Sequence, residues 1–108
     1  MNLNIALVCK TREQIDNEMY WFMIANIEDI DLWNTPIRQG MPFAQRLCFK
    51  DGTFMFGVCR TNIEKLDGTK VDQAIISSGA DEELIDLVSE RMTDDVPDEF
   101  KIQYINKR

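Results

Sequence analysis

A chain of 108 residues, 44% hydrophobic and 29% charged, holds enough apolar area for one core, which excludes wholesale disorder. A formal net charge of −7 opposes direct nucleic-acid binding, and the absence of histidine removes the commonest acid–base and zinc-ligating side chain. No apolar run approaches the roughly 18 residues that a membrane-spanning helix needs, so a single non-membrane domain over residues 1–108 is expected.

Leu3 to Cys9 is aliphatic and loosely alternating, which predicts a first strand. No basic leader or small-residue cleavage site marks it as a signal peptide. Thr11-Arg12-Glu13-Gln14 has the pattern of a capping box, with Thr11 at the N-cap and Gln14 reaching back. A helix over about 12–27 should follow, burying Ile15, Met19, Phe22 and Met23. From Met19 to Ile27 only Asn26 is polar, and Tyr20, Trp21, Ile24 and Ala25 fall off that stripe. A helix apolar on all sides must be covered on all sides. Either the domain wraps it, a partner does, or Met19–Ile24 is a strand.

Pro36, Gly40 and Pro42 mark a loop. Two alternating runs, 43–49 and 53–60, then flank Asp51-Gly52, the signature of a hairpin with a two-residue turn. That turn pairs Phe49 with Phe54, Leu47 with Phe56 and Gln45 with Val58. It gathers Phe43, Leu47, Phe49, Phe54, Phe56 and Val58 on one face and sets no two cysteines opposite each other. Leu66 to Thr69 reads as a turn and Val71 to Ile76 as a strand. Ser78 to Asp81 opens a helix over about 79–92 with Leu84, Leu87, Val88 and Met92 inward. Phe100, Ile102 and Tyr104 alternate as a last strand. The order predicts an α+β domain: an antiparallel or mixed sheet around the hairpin, with two helices on one face.

Residues 80–99 carry nine acids against one base, Arg91, so a local balance of −8 accounts for the whole net charge. In the predicted helix Glu82, Asp86 and Glu90 recur every fourth residue and form one ridge. Like charges at that spacing cost a helix about 0.2–0.5 kcal/mol per pair. Glu82, Glu83, Asp86, Glu90, Asp94 and Asp95 are therefore the candidate contacts for a basic partner surface, such as that of a nucleic-acid enzyme. This points to an inhibitor, an immunity-type protein or a nucleic-acid mimic. Tyr20, Trp21 and Ile24 form a candidate apolar interface, which would suit a homodimeric adaptor. A third reading is a nucleotide or metabolite binder whose pocket uses Trp21, Trp33 and the hairpin phenylalanines.

No catalytic residue, metal ligand set or cofactor motif stands out. There is no phosphate-binding glycine loop and no nucleophile elbow. Glu28-Asp29-Ile30-Asp31 and the acids near residue 95 lack the spacing of a calcium loop. Cys9, Cys48 and Cys59 are an odd count at spacings that match no zinc pattern, as expected of buried thiols in the reducing cytoplasm.

Overall fold

The computed structural model describes residues 3–42, 46–66, 68–92 and 102–104. Its centre is β1 (Asn4–Val8), which lies parallel to β5 (Phe54–Val58) on one side and to β6 (Gln73–Ile76) on the other. β4 (Arg46–Cys48) pairs antiparallel with β5, and β7 (Ile102–Tyr104) pairs parallel with β6. The five-stranded mixed sheet thus has the order β4-β5-β1-β6-β7. β2 (Ile37–Arg38) and β3 (Met41–Pro42) form a separate two-stranded ribbon. The α+β domain read from the sequence is present, with the helices α1 (Arg12–Ala25) and α2 (Glu82–Ser89).

The helices lie on opposite faces of the sheet, not on one. Ile5, Leu7 and Cys9 share a buried cluster with Ile15, Met19 and Met23 of α1. Ala6 and Val8 share another with Leu84 and Val88 of α2. A strand with parallel neighbours on both sides has no solvated face, so it must be apolar in both directions. The unbroken run Ile5-Ala6-Leu7-Val8-Cys9, buried throughout, meets that demand.

Both helix starts follow from their caps. Thr11 Oγ1 accepts from Gln14 N at 3.1 Å, and Asp81 Oδ1 accepts from Leu84 N at 2.8 Å, so each satisfies a backbone donor that the first turn leaves open. Gln14 does reach back, but to Lys10 N at 2.9 Å, one residue beyond the N-cap. α1 ends at Ala25, and a 3₁₀ turn, Ile27–Asp29, replaces the last part of the predicted helix.

The hairpin exists, but its register differs by one residue from the sequence reading. Arg46 pairs with Phe56, Leu47 with Met55 and Cys48 with Phe54. The loop has three residues, Lys50-Asp51-Gly52, closed by Phe49 N on Thr53 O at 2.9 Å. Asp51 keeps negative φ and spends its carboxylate on Thr53 N at 2.8 Å, while Gly52 alone takes the left-handed conformation at φ 92°. A two-residue turn would need positive φ at both positions. A one-residue shift reverses which side chains share a face. Leu47 and Met55 therefore face α1, Phe49 packs at that cluster's margin, and Phe56 packs against the α2 cluster. The expected single phenylalanine face is divided between the two sides of the sheet. Phe43, Ala44 and Gln45 lie outside the described residues.

At Gly57 the sheet meets α1 closely enough that an added Cβ would overlap Ile15 Cγ2. Ile15 is fully buried, so it has nowhere to retreat. Gly57→Ala should cost about 1–3 kcal/mol in chemical denaturation through overpacking. The double variant Gly57→Ala/Ile15→Ala should be less destabilised than the sum of the two single changes. Additive losses would show that the two positions are not in steric conflict.

Candidate functional site

Open parallel sheets bind ligands in the crevice where chain connections leave a strand in opposite directions. Here that point lies between the carboxyl ends of β1 and β6. From β1 the chain passes to β5 on one side, and from β5 it returns to β6 on the other. The crevice is bounded by Cys9-Lys10-Thr11 and by Ser77-Ser78-Gly79. Gln14 bridges it. Its Oε1 accepts from Lys10 N at 2.9 Å, and its Nε2 donates to Ser77 Oγ at 2.9 Å and to Ser78 O at 2.7 Å. The side-chain amide thus occupies the polar groups that a ligand would otherwise meet.

Two candidate surfaces lie outward. On α2, Glu82, Glu83, Asp86 and Glu90 are all exposed while Leu84 and Val88 are buried. Glu83 is partly neutralised: Arg60 Nη2 contacts it at 2.9 Å and Asp81 at 3.1 Å. These two carboxylates, Glu83 foremost, raise the affinity of the Arg60 guanidinium for its proton. Among the described residues, Glu82, Asp86 and Glu90 have no ion-pair partner. Asp94 and Asp95 lie outside the described residues.

On the other side of the sheet, α1 divides its apolar side chains. Ile15, Met19 and Met23 are buried, and Tyr20 and Phe22 are partly buried against the same cluster. Trp21 and Ile24 remain 52% and 44% exposed. The helix is therefore not covered on all sides by the described residues. Trp21 stands edge-on to Tyr20 with ring centroids 5.5 Å apart. A hollow of about 420 Å³ there is lined, among the described residues, by Trp21, Phe22, Ala25 and Asn26.

The apolar interface expected from the sequence, the 19–27 segment, takes in the exposed Ile27 but not Leu32 and Ile37, which are also exposed, and the sequence places the 93% exposed Trp33 in a pocket instead. Leu32 and Trp33 sit in a turn fixed by Asp31, which accepts from Trp33 N at 3.1 Å, Asn34 N at 3.2 Å and Asn34 Nδ2 at 2.7 Å. Those bonds, the Asn34 amide foremost, hold the Asp31 carboxyl below its ordinary range. The available signal was two large apolar residues inside an Asp-x-x-Asn turn, where polar residues are usual.

The cysteines are free thiols, with Cys9 and Cys59 buried in the α1-side cluster. Compared with protein-family models, curated proteins and solved structures, the chain has no significant match. Among the described residues no helix is long and apolar enough to cross a membrane.

Burial pushes the Cys9 thiol up from 9.0 to about 12, against a smaller lowering by its hydrogen bond to Ser77. Buried, protonated thiols are poor nucleophiles. A thiol reagent at neutral pH should therefore modify half-buried Cys48 first and reach Cys9 and Cys59 only in denaturant. An unfolded Cys9 ionises near its ordinary value while the folded one does not. The stability this provides is complete below pH 9 and declines as pH rises from 9 towards 12. The decline should flatten in Cys9→Ala, measured by urea unfolding across that range. Rapid labelling of Cys9 in the native state would contradict this.

Proposed function

We propose that the protein is a non-catalytic binding protein that occupies a basic surface on another macromolecule, using the acidic face of α2. What supports this is one observation: Glu82, Asp86 and Glu90 form an exposed row, and none of the three has an ion-pair partner among the described residues. Carboxylates at every fourth position repel one another, and only Glu82 and Glu83, in the first turn, are favoured by the helix dipole. A row that costs helix stability is explained by an external cation that relieves it. The partner in this reading presents lysines or arginines over about one helix length. A net charge of −7 speeds encounter with such a surface and makes the rate fall with salt.

The test compares two triple variants that change net charge equally. Glu82→Lys/Asp86→Lys/Glu90→Lys should lose most of its retention on an immobilised lysine-rich peptide at about 50 mM salt. Glu13→Lys/Asp16→Lys/Glu64→Lys should keep most of it. Both effects should fade at about 500 mM salt, where the Debye length is roughly 4 Å. Equal losses in the two triples would show that total charge, not the α2 row, governs attraction.

A further inference from the structure

The part of the chain outside residues 80–99 is close to neutral in total but not uniformly so. Residues 13–37 contain Glu13, Asp16, Glu18, Glu28, Asp29 and Asp31 and no base. This is the segment that leaves Trp21, Ile24, Ile27, Leu32 and Trp33 exposed. The 420 Å³ hollow at Trp21 shares Ala25 and Asn26 with a second hollow of about 260 Å³ lined by Ile27, Glu28 and Asp29. Together they make one groove around the end of α1, apolar at the tryptophan and acidic at the 3₁₀ turn. Its floor is set by Asn26, whose Nδ2 and N both donate to Phe22 O, at 2.9 and 3.1 Å.

The charge at the acidic end says what fits. A helix C-terminus carries partial negative charge and is normally relieved by a lysine or arginine in the last turn. The last turn of α1 has none. Instead Glu28 and Asp29 follow it, exposed and without an ion-pair partner among the described residues. Three sources of negative potential thus converge beside an exposed tryptophan. Lipid headgroup phosphates and nucleic acid are repelled. A second copy docking about a two-fold axis through this acidic end would set it against itself.

We propose that this groove binds a protein segment of mixed basic and apolar character. An apolar side chain seats beside Trp21, and a neighbouring lysine or arginine meets Glu28, Asp29 and the end of α1. Tryptophan is among the residue types in which binding energy concentrates. The site lies on the face opposite α2, so it is separate from the proposed acidic contact and does not depend on it.

The probe is a labelled amphipathic peptide of about 14 residues with leucines at helical i, i+3, i+4, i+7 spacing and lysines elsewhere, followed by fluorescence anisotropy. Binding should saturate and should weaken by about tenfold or more in Trp21→Ala/Ile27→Ala and in Glu28→Lys/Asp29→Lys. Ala25→Trp, which fills the groove from an exposed position, should do the same without touching the core. Glu82→Lys/Asp86→Lys/Glu90→Lys should leave the groove-dependent binding unchanged. The same peptide with glutamates in place of lysines should not bind. The proposal is overturned by no saturable binding, by binding that survives all three groove variants, or by a homodimer in sedimentation that Trp21→Ala/Ile27→Ala dissociates.

Discussion

Burial of β1 on both faces is the constraint from which the rest of this structure follows. Five consecutive residues, Ile5 to Cys9, are withdrawn from water, and full burial of a valine or leucine is worth about 1.5–3 kcal/mol. Such a strand is stable only with a strand on each side and a helix on each face. The packing is uneven in a way that suits this. On the α2 face Ala6 pairs with Ala74, which leaves room for Leu84 and Val88. On the α1 face the small residue is Gly57 of β5, beneath Ile15. Small residues in the sheet let both helices sit close, and they place the two helices' outer surfaces on opposite sides of the molecule.

A second constraint is the edge of that sheet. β4 would expose its outer backbone groups, which invite pairing with another chain. The segment after α1 covers them. Asp31 N donates to Cys48 O at 2.8 Å, Lys50 N donates to Asp29 O at 2.8 Å, and Thr35 Oγ1 accepts from Cys48 N at 3.0 Å. Buried Ile30 and Thr35 anchor the segment at both ends. Leu32 and Trp33, between them, are consequently held outward by a fixed turn. Their exposure does not come from a loose chain, so a partner meeting them would have little ordering entropy to overcome.

Local signals in the sequence were legible where one residue's chemistry decides a conformation. Thr11 and Asp81 cap the helices from the positions their hydrogen-bonding side chains imply. Asp51-Gly52 located the hairpin, but the dipeptide is compatible with more than one loop length. The carboxylate of Asp51 selected the longer one by accepting from Thr53 N. Pairings between distant strands left no local mark. Asn4 N meets Asp72 Oδ2 across 68 residues of chain, and nothing near either residue announces the other. The unbroken apolar run at β1 did carry the two-sided burial, but period-two reasoning passes over it because a doubly buried strand does not alternate. In α1 the period identified Ile15, Met19 and Met23 as core. It could not say whether Trp21 and Ile24 were covered, since that depends on what the rest of the chain leaves open.

Gln14 connects the fold to the proposed function. The crevice it bridges is where open parallel sheets ordinarily hold small molecules. Admitting a ligand there would first break three hydrogen bonds, each worth about 0.5–1.5 kcal/mol, and would strip the cap region of α1 of its tie to β6. The same amide that could have made a polar contact to a ligand instead fixes the two loops to each other. With the crevice committed to holding the sheet's two halves together, the proposed recognition falls to the outer surfaces of α1 and α2. They differ in kind, one apolar with an acidic end and the other acidic alone. Because β1 separates them, occupation of one leaves the other open. Two unlike docking faces on one rigid sheet would suit a protein that joins two partners as well as one that blocks a single partner, and the crevice chemistry would be needed for neither.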